Sequence, residues 1–424
     1  MVRLFIVVII VISLLLFMGL NIDDDIDPKV SAFVSSQDGQ PDENEGYFYL
    51  MGISAPADKD PEVVGRQYYE KVSDITQIEL FHSYADIKRE ELPLSESDLF
   101  CNFLTPGCFE KVFHATEDLR AIIDDYALLQ KRWQHYVSID DFKTITSPTI
   151  FEQFPPYKYI TRVNRVLIMS SISDWRESRP AVALEKMENN IRHLRRQLVL
   201  QDNLIGKLTI AQLIAEHLDV LFLLVRKNEG LQPPKMTSLT NDEKSLKKAI
   251  VREFAMAIET FRAVGNHPEL WREEKSLPSW MGKYIFKPNM SINAVFPIYR
   301  RAAEYAELAP IAFTKAMLTG PDIELKSSLI RNFFGTELIQ VARVDLLKYI
   351  GEFNDLNAKI ILFNTLINRE ITEDIVQSVY SPYYATNRTA AYSENGERIC
   401  VSGPLQDDKN IRCVKIKIRA AEPN

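Results

Sequence analysis

Apolar residues fill the first stretch of the chain. Leu4 to Leu20 is interrupted only by Ser13 and Gly19. At ~1.5 Å rise per residue, a helix of that length spans roughly 25 Å, near the lower limit for a bilayer core. Residues 23–62 then mix polar and apolar positions without a period, and Pro28, Gly39, Pro41, Gly46, Gly52, Pro56 and Pro61 punctuate them. That composition predicts a linker. The apolar island Tyr47 to Met51 is expected to dock on the body as a strand or an extended segment.

Further on, the apolar positions recur at three and four. Val112, Leu119, Ile122, Ile123, Tyr126, Leu129, Trp133 and Tyr136 predict helix over about 110–136. More helices are predicted over Tyr157–Trp175, from Pro180 through Leu198, over Leu204–Arg226 and over Asn241–Val264. Pro180 suits a first helical turn, where its missing N–H costs nothing. Leu204–Arg226 is apolar on so many faces that it belongs near the centre of a bundle. Asp242 and Glu243 suit a helix N-terminus, and Gly265 is expected to stop that helix. Helix resumes over Ser291–Ala309 and Thr336–Asn368. The end of the chain alternates instead. Ala391 to Glu394, Asn395-Gly396 and Glu397 to Val401 predict a hairpin with a two-residue type I′ turn, and Ile411 to Ile418 a third strand.

Charge orients the first element. Arg3 precedes the run, and Asp23, Asp24, Asp25 and Asp27 follow it. The cationic end is expected to stay in the cytoplasm and the rest to cross. The competing reading is a cleaved signal peptide. The run is longer than a usual h-region, and Phe17, Met18, Gly19 and Leu20 offer no small-x-small site. No cysteine follows the run, which argues against a lipoprotein. A pilin carries its processing glycine before the run, whereas Gly19 stands at its end.

Hydrophobic content of 46%, charged content of 25% and a net charge of −8 describe an ordinary globular chain. No Lys/Arg block forms a nucleic-acid footprint, so no nucleic-acid partner is expected. The four cysteines fall into sequence-local pairs, Cys101 with Cys108 and Cys400 with Cys413. Neither pair has the spacing of a zinc finger or ribbon, and disulfides in an oxidising compartment are expected.

Several stretches then combine. Asp174-Trp-Arg-Glu-Ser-Arg-Pro-Ala-Val-Ala-Leu-Glu185 leads into Arg192 to Arg196 and Leu204 to Leu208. Lys287 to Asn293, Tyr299 to Arg301 and Ser381-Pro-Tyr383 follow in order. Over about 155–405 this resembles a group of uncharacterised bacterial envelope proteins. Those have one N-terminal anchor, a helical body with a tetratricopeptide-like hairpin, a Pro-Asn-x-Thr-x-Asn segment and an Asp-Pro-Phe-like turn into a small β-element. Ser291 stands for the Thr and Ser381 for the Asp. The resemblance implies a fold outline and a location, and no activity.

Chemistry is sparse. Pro288, Asn289, Ser291 and Asn293 precede or open a helix, where Ser291 or Asn289 is expected to cap it. The functional alternative is an amide-lined pocket at that helix N-terminus for an anionic or sugar ligand, formed by Asn289 and Asn293 and walled by Trp271, Trp280 and Tyr284. These aromatics lie in the irregular stretch 266–290, and a loop of that length is usually functional or a cover over the core. Glu79 and His82 supply only half of a di-iron helix pair, and His114, His135, His193, His217 and His267 are dispersed, so no metal is expected. No cofactor motif and no nucleophile elbow is present. Asp124-Asp125, Asp140-Asp141, Glu273-Glu274 and the basic face Arg192, Arg195 and Arg196 read as solvated helix surface.

The expected architecture is mainly α. Residues 1–22 form a transmembrane signal anchor, 23–62 a linker, 63–380 a helical domain with a TPR-like body, and 381–424 a disulfide-pinned antiparallel β-element. The expected location is the inner membrane, single-pass and N-in, with the bulk of the chain in the periplasm or extracellular. The expected role is non-enzymatic, an envelope scaffold with a protein partner. The alternative is a cell-envelope hydrolase using carboxylates near residues 266–293.

Overall fold

A computed structural model of the chain describes residues 21–35, 44–73, 89–116, 119–149, 151–228, 235–267, 285–320, 330–341, 345–385 and 388–417, with isolated positions elsewhere. Most described residues are helical, and a small sheet closes the chain.

The stretch expected as a linker is folded where it is described. It forms α1 (Pro28–Ser35), α2 (Glu45–Met51) and the start of α3 (Pro61–Ser73). The island Tyr47 to Met51 does dock, but as helix α2, in which every residue from Gly46 to Met51 is buried. Two glycines allow this. A Cβ on Gly65 of α3 would lie 1.9 Å from the Phe48 carbonyl oxygen of α2, and one on Gly52 would lie 1.9 Å from the Pro61 oxygen. Only bare backbone permits two helices to touch at that distance. Arg132 fastens the next residues, donating to the carbonyls of Ile53 at 3.1 Å and Pro56 at 2.9 Å.

Three shorter helices, α4 (Cys108–Phe113), α5 (Leu119–Asp125) and α6 (Ala127–Tyr136), replace the continuous pattern expected over 110–136. The long helices α7 (Tyr157–Arg176), α8 (Pro180–Leu200) and α9 (Leu204–Arg226) stand where the apolar period places them. Asn203 caps α9 by accepting from the Gly206 N–H at 2.7 Å. Among the described residues α9 alone is long and apolar enough to cross a membrane, but 83% of its apolar window is buried inside the protein. It is the core helix, packed by α7, α8 and later elements.

The helix expected over Asn241–Val264 is divided into α10 (Asn241–Lys244) and α11 (Lys247–Asn266), which runs past Gly265. Thr240 and Glu243 form a capping box that closes α10 on itself. Next come α12 (Pro288–Tyr305), α13 (Pro310–Thr319), α14 (Phe333–Val341), α15 (Leu346–Leu366) and α16 (Glu373–Gln377). Asp345 starts α15 by accepting from the Lys348 N–H at 3.3 Å, which separates it from α14.

The sheet comprises β1 (Ala391–Tyr392), β2 (Arg398–Cys400) and β3 (Cys413–Lys415) in antiparallel order β1-β2-β3. Cys400 lies directly opposite Cys413, and the two are bridged. The turn differs from expectation. It is a four-residue loop, Glu394 to Glu397, in which the Gly396 N–H donates to the Ser393 oxygen at 2.8 Å. Gly396 is left-handed at φ 64°, while Asn395 is not, so the type I′ geometry is absent.

The main hydrophobic core surrounds α9. A second core gathers Val30 of α1, Phe254 and Ile258 of α11, and Ile292 and Phe296 of α12. It fastens the N-terminal segment to the body.

Candidate functional site

Pro288 occupies the first turn of α12, and Lys287 before it supplies no side-chain cap. The cap comes from a distant part of the chain. The carboxylate of Asp23 accepts from the Asn289 N–H at 2.9 Å and the Met290 N–H at 3.1 Å. An anion in that position satisfies orphan donors and meets the positive end of the helix dipole. The expected caps have other roles. Ser291 donates to the Lys287 oxygen at 3.0 Å and accepts from Asn332 at 2.9 Å.

Asn289 and Asn293, four residues apart, project from one face of α12. Asn289 Nδ2 donates to the Asp24 carbonyl at 2.8 Å. Asn293 Nδ2 donates to the Asp25 carbonyl at 2.8 Å, and its Oδ1 accepts from the Asp27 N–H at 3.0 Å. Each amide therefore reads backbone, and together they hold Asp23 to Asp27 along the helix. Arg331 completes the clasp by donating to the Ile22 carbonyl at 2.8 Å and to Asp24 Oδ1 at 2.9 Å. Behind it, Asn332 accepts from the buried Lys287 N–H at 2.8 Å. Burial lowers the pKa of the Lys287 ammonium, and the nearby Asp23 carboxylate opposes that shift.

The amides that the alternative reading assigns to a ligand thus hold the acidic segment of the same chain. Trp271, Trp280 and Tyr284, expected as its wall, lie outside the described residues, as do Glu79, His82, Glu273 and Glu274. The described part of 266–293 carries no carboxylate. The acids that reach it, Asp23 and Asp24, are engaged by N–H groups and by Arg331.

A second constellation lies in the protein interior. Asp219, midway along α9 and 1% exposed, binds Lys359 Nζ of α15 at 2.6 Å and Arg398 of β2 at 2.9 Å. It also accepts from the Lys415 N–H of β3 at 3.2 Å. Lys415 Nζ reaches Glu110 of α4 at 2.7 Å, and Arg398 donates to the Leu104 carbonyl at 2.6 Å. Burial pulls the Lys359 pKa down while Asp219 pulls it up. One turn earlier, Glu216 receives Arg165 through two nitrogens at 3.1 Å and the Phe103 N–H at 3.2 Å.

Both disulfides, Cys101–Cys108 and Cys400–Cys413, feed this network. Phe103 and Leu104 sit inside the first loop, and Arg398 and Cys413 at the second. The network therefore joins two covalently closed segments to the core helix. Sequence reading found the cysteines and missed Asp219, Lys359, Arg398, Lys415 and Glu110. A lone charge inside the apolar run Leu218 to Val225 was the available signal.

His217, also on α9, is fully buried. Its Nδ1 faces the Leu213 carbonyl at 2.8 Å and its Nε2 the Asn190 amide at 2.7 Å. That arrangement suits a neutral ring donating through Nδ1. Burial pushes its pKa down to about 4. Asn190 also accepts from the indole of Trp133 at 2.9 Å. Among the described residues no group of His, Cys, Asp and Glu is placed to hold a metal ion.

No protein-family model matches the chain, and neither a curated protein nor a solved structure is detectably similar to it.

A cleft of about 500 Å³ runs along α8 and is lined by Ile191, Arg192, Arg196, Val199, Lys235 and Met236. The basic face expected to be solvated is only partly so. Arg195 is locked by Glu243 at 2.6 and 2.8 Å and by the Thr237 carbonyl at 2.8 Å. Arg196 pairs with Asp140. Arg192 and Lys235 are exposed beside the apolar floor.

Proposed function

We propose that the chain is a single-pass membrane protein of the bacterial cell envelope, and that its helical body is an extracytoplasmic scaffold for a protein partner. The clasp carries this reading. Three residues beyond Leu20 the chain is already gripped by α12, and Arg331 holds it at Ile22. No free length separates an anchor at residues 4–20 from the body, which would sit against the bilayer in one orientation. Phe5, Ile6, Val8, Ile10 and Ile12 are helical and 45–67% exposed, as lipid-facing side chains would be. The two disulfides suit the far side of the membrane.

The scaffold reading rests on how the polar side chains are used. Asp219, Glu216, Glu110 and Asp23 tie elements to one another. The long hairpin of α7 and α8, packed on α9, is the TPR-like part of the proposal, in keeping with the envelope proteins the sequence resembles. Its cleft, with Arg192 and Lys235 over Val199 and Met236, suits an acidic, partly apolar segment of a partner.

A reporter fused after Asn424 tests the topology. Activity only outside the cytoplasm is expected, and cytoplasmic activity removes the reading. A photo-crosslinker at Val199 tests the scaffold. It should capture one envelope protein in intact cells, and charge reversal at Arg192 and Lys235 should abolish that capture. Capture indifferent to those charges would leave the cleft without a role.

A further inference from the structure

The turn that leads into α14 turns two large apolar side chains to solvent. Ile330 is 81% exposed and Phe333 52%. The residues between them face inward. Arg331 reaches Ile22 and Asp24, and Asn332, 1% exposed, bonds Lys287 and Ser291. Backbone bonds fix this turn, from the Asn332 N–H to the Ser328 oxygen at 2.8 Å and from the Thr336 N–H to the Asn332 oxygen at 3.0 Å. The outward aim of Ile330 and Phe333 is thus set by two inward-bonded neighbours.

Ile22 itself is 64% exposed. The Arg331 bond to its carbonyl brings Ile22 within one arginine side chain's reach of the turn that carries Ile330 and Phe333. A single exposed apolar residue needs no explanation. These three differ because of where Ile22 lies along the chain. Ile22 follows Leu20 by two residues, roughly 3 Å of helix rise. Whatever lies beside Ile22 lies at headgroup depth if residues 4–20 span the bilayer. Exposed apolar side chains are what such a depth favours, because they can enter the acyl boundary while the inward-bonded Arg331 holds the turn in place.

We propose that Ile330 and Phe333 insert into the bilayer interface and give the body a second membrane contact beside its anchor. The inference rests on reading residues 4–20 as that anchor. The partner is the lipid surface, and Arg331 sits between the two inserted side chains. The contact would fix rotation of the body about the anchor axis, which one helix alone leaves free.

The test uses the full chain in phosphatidylcholine–phosphatidylglycerol liposomes, with a nitroxide on Ile330→Cys or Phe333→Cys. Collision rates with oxygen and with an aqueous nickel chelate are compared with those of the free label in buffer. Oxygen enrichment with at least several-fold nickel exclusion is expected at both sites. A chain that floats with the liposomes but carries nickel-accessible labels overturns the second contact and leaves the anchor standing. A chain that does not float with them overturns both. Labels shielded from both reagents, with spin–spin broadening between copies, would assign the turn to a contact between two chains and overturn the proposal.

Discussion

Asp23 and Asp219 do similar chemistry in different surroundings. Each carboxylate accepts backbone N–H bonds, and each site includes an arginine from a distant part of the chain. Asp219 lies in a dry interior with Lys359 and Arg398, both nearly inaccessible. At the clasp, Asp24 and Arg331 keep 44% and 32% of their side-chain surface in water. Solvation separates the two joints. A buried charge cannot lose its partner without being stranded, so the Asp219 joint is permanent. A wet hydrogen bond is replaced by water when it opens, so the clasp can be undone at small cost.

The largest effect is expected at Asp219. Asp219→Ala strands two buried cations and should lower unfolding free energy by about 3–5 kcal/mol in urea titration. A loss below ~1 kcal/mol would show that the interior site is as forgiving as the surface one.

Acid gives the next largest effect. His217 stays neutral in the fold, with its pKa lowered from 6.5 to about 4. A depressed folded value means the unfolded chain takes up the proton first as pH falls. The stabilising contribution is therefore complete above pH 6.5 and is lost between 6.5 and 4, by roughly 3 kcal/mol at ~1.4 kcal/mol per unit. Glu253 and Asp355, both raised to about 7 by burial, act in the opposite sense, Asp355 across all of that window and Glu253 across most of it. The informative quantity is accordingly a difference between proteins. His217→Gln should flatten the midpoint between pH 7.5 and 4.5 relative to the parent, and parallel curves would contradict the neutral assignment.

Removing the bridge that pins the interior network, as Cys400→Ser with Cys413→Ser, should cost about 2–3 kcal/mol by the chain-entropy argument. Loss of the bond that Lys359 Nζ donates to the Cys413 carbonyl would add to that if the strands separate. Non-reducing peptide mapping of the parent should recover Cys400 with Cys413 and Cys101 with Cys108.

The smallest change belongs to the clasp. Asn293→Ala removes two hydrogen bonds to the N-terminal segment and should cost about 1 kcal/mol. Its signature is local: amide exchange should quicken across residues 21–35 while α9 is unaffected. If protection fell equally in both regions, the clasp and the core would be one cooperative unit, and the contrast drawn above would be lost.

Legibility in the sequence followed the range of the interactions. Helices α7, α8 and α9 were readable because a three-four period and Pro180 act within a few residues. The cysteine pairs were readable for the same reason. The divisions at Ser245 and Asp345 were not, because a capping box or a single cap outweighs a continuous apolar pattern. Helix α2 was misread as strand or extended segment because six apolar or glycine positions show no period, and its partner is the backbone of α3. Asn289 and Asn293 stood out in the sequence as part of a capping or ligand-binding segment, and in the fold they hold the chain's own acidic segment. Their spacing announces a hydrogen-bonding face. Nothing local announces that the occupant lies at Asp23, 266 residues away.

That separation also puts the joints in an order of time. A chain made from its amino end at roughly 5–20 residues per second needs about 15–60 s to go from Ile22 to Arg331, 309 positions later. Through that interval Asp23 to Asp27 have no helix to cap and no amides to hold them. Residues 23–27, made long before α12 and α14, are thus among the last to reach their place. Newly made chains should carry a protease-sensitive site near Asp25 that disappears only when synthesis has passed α14.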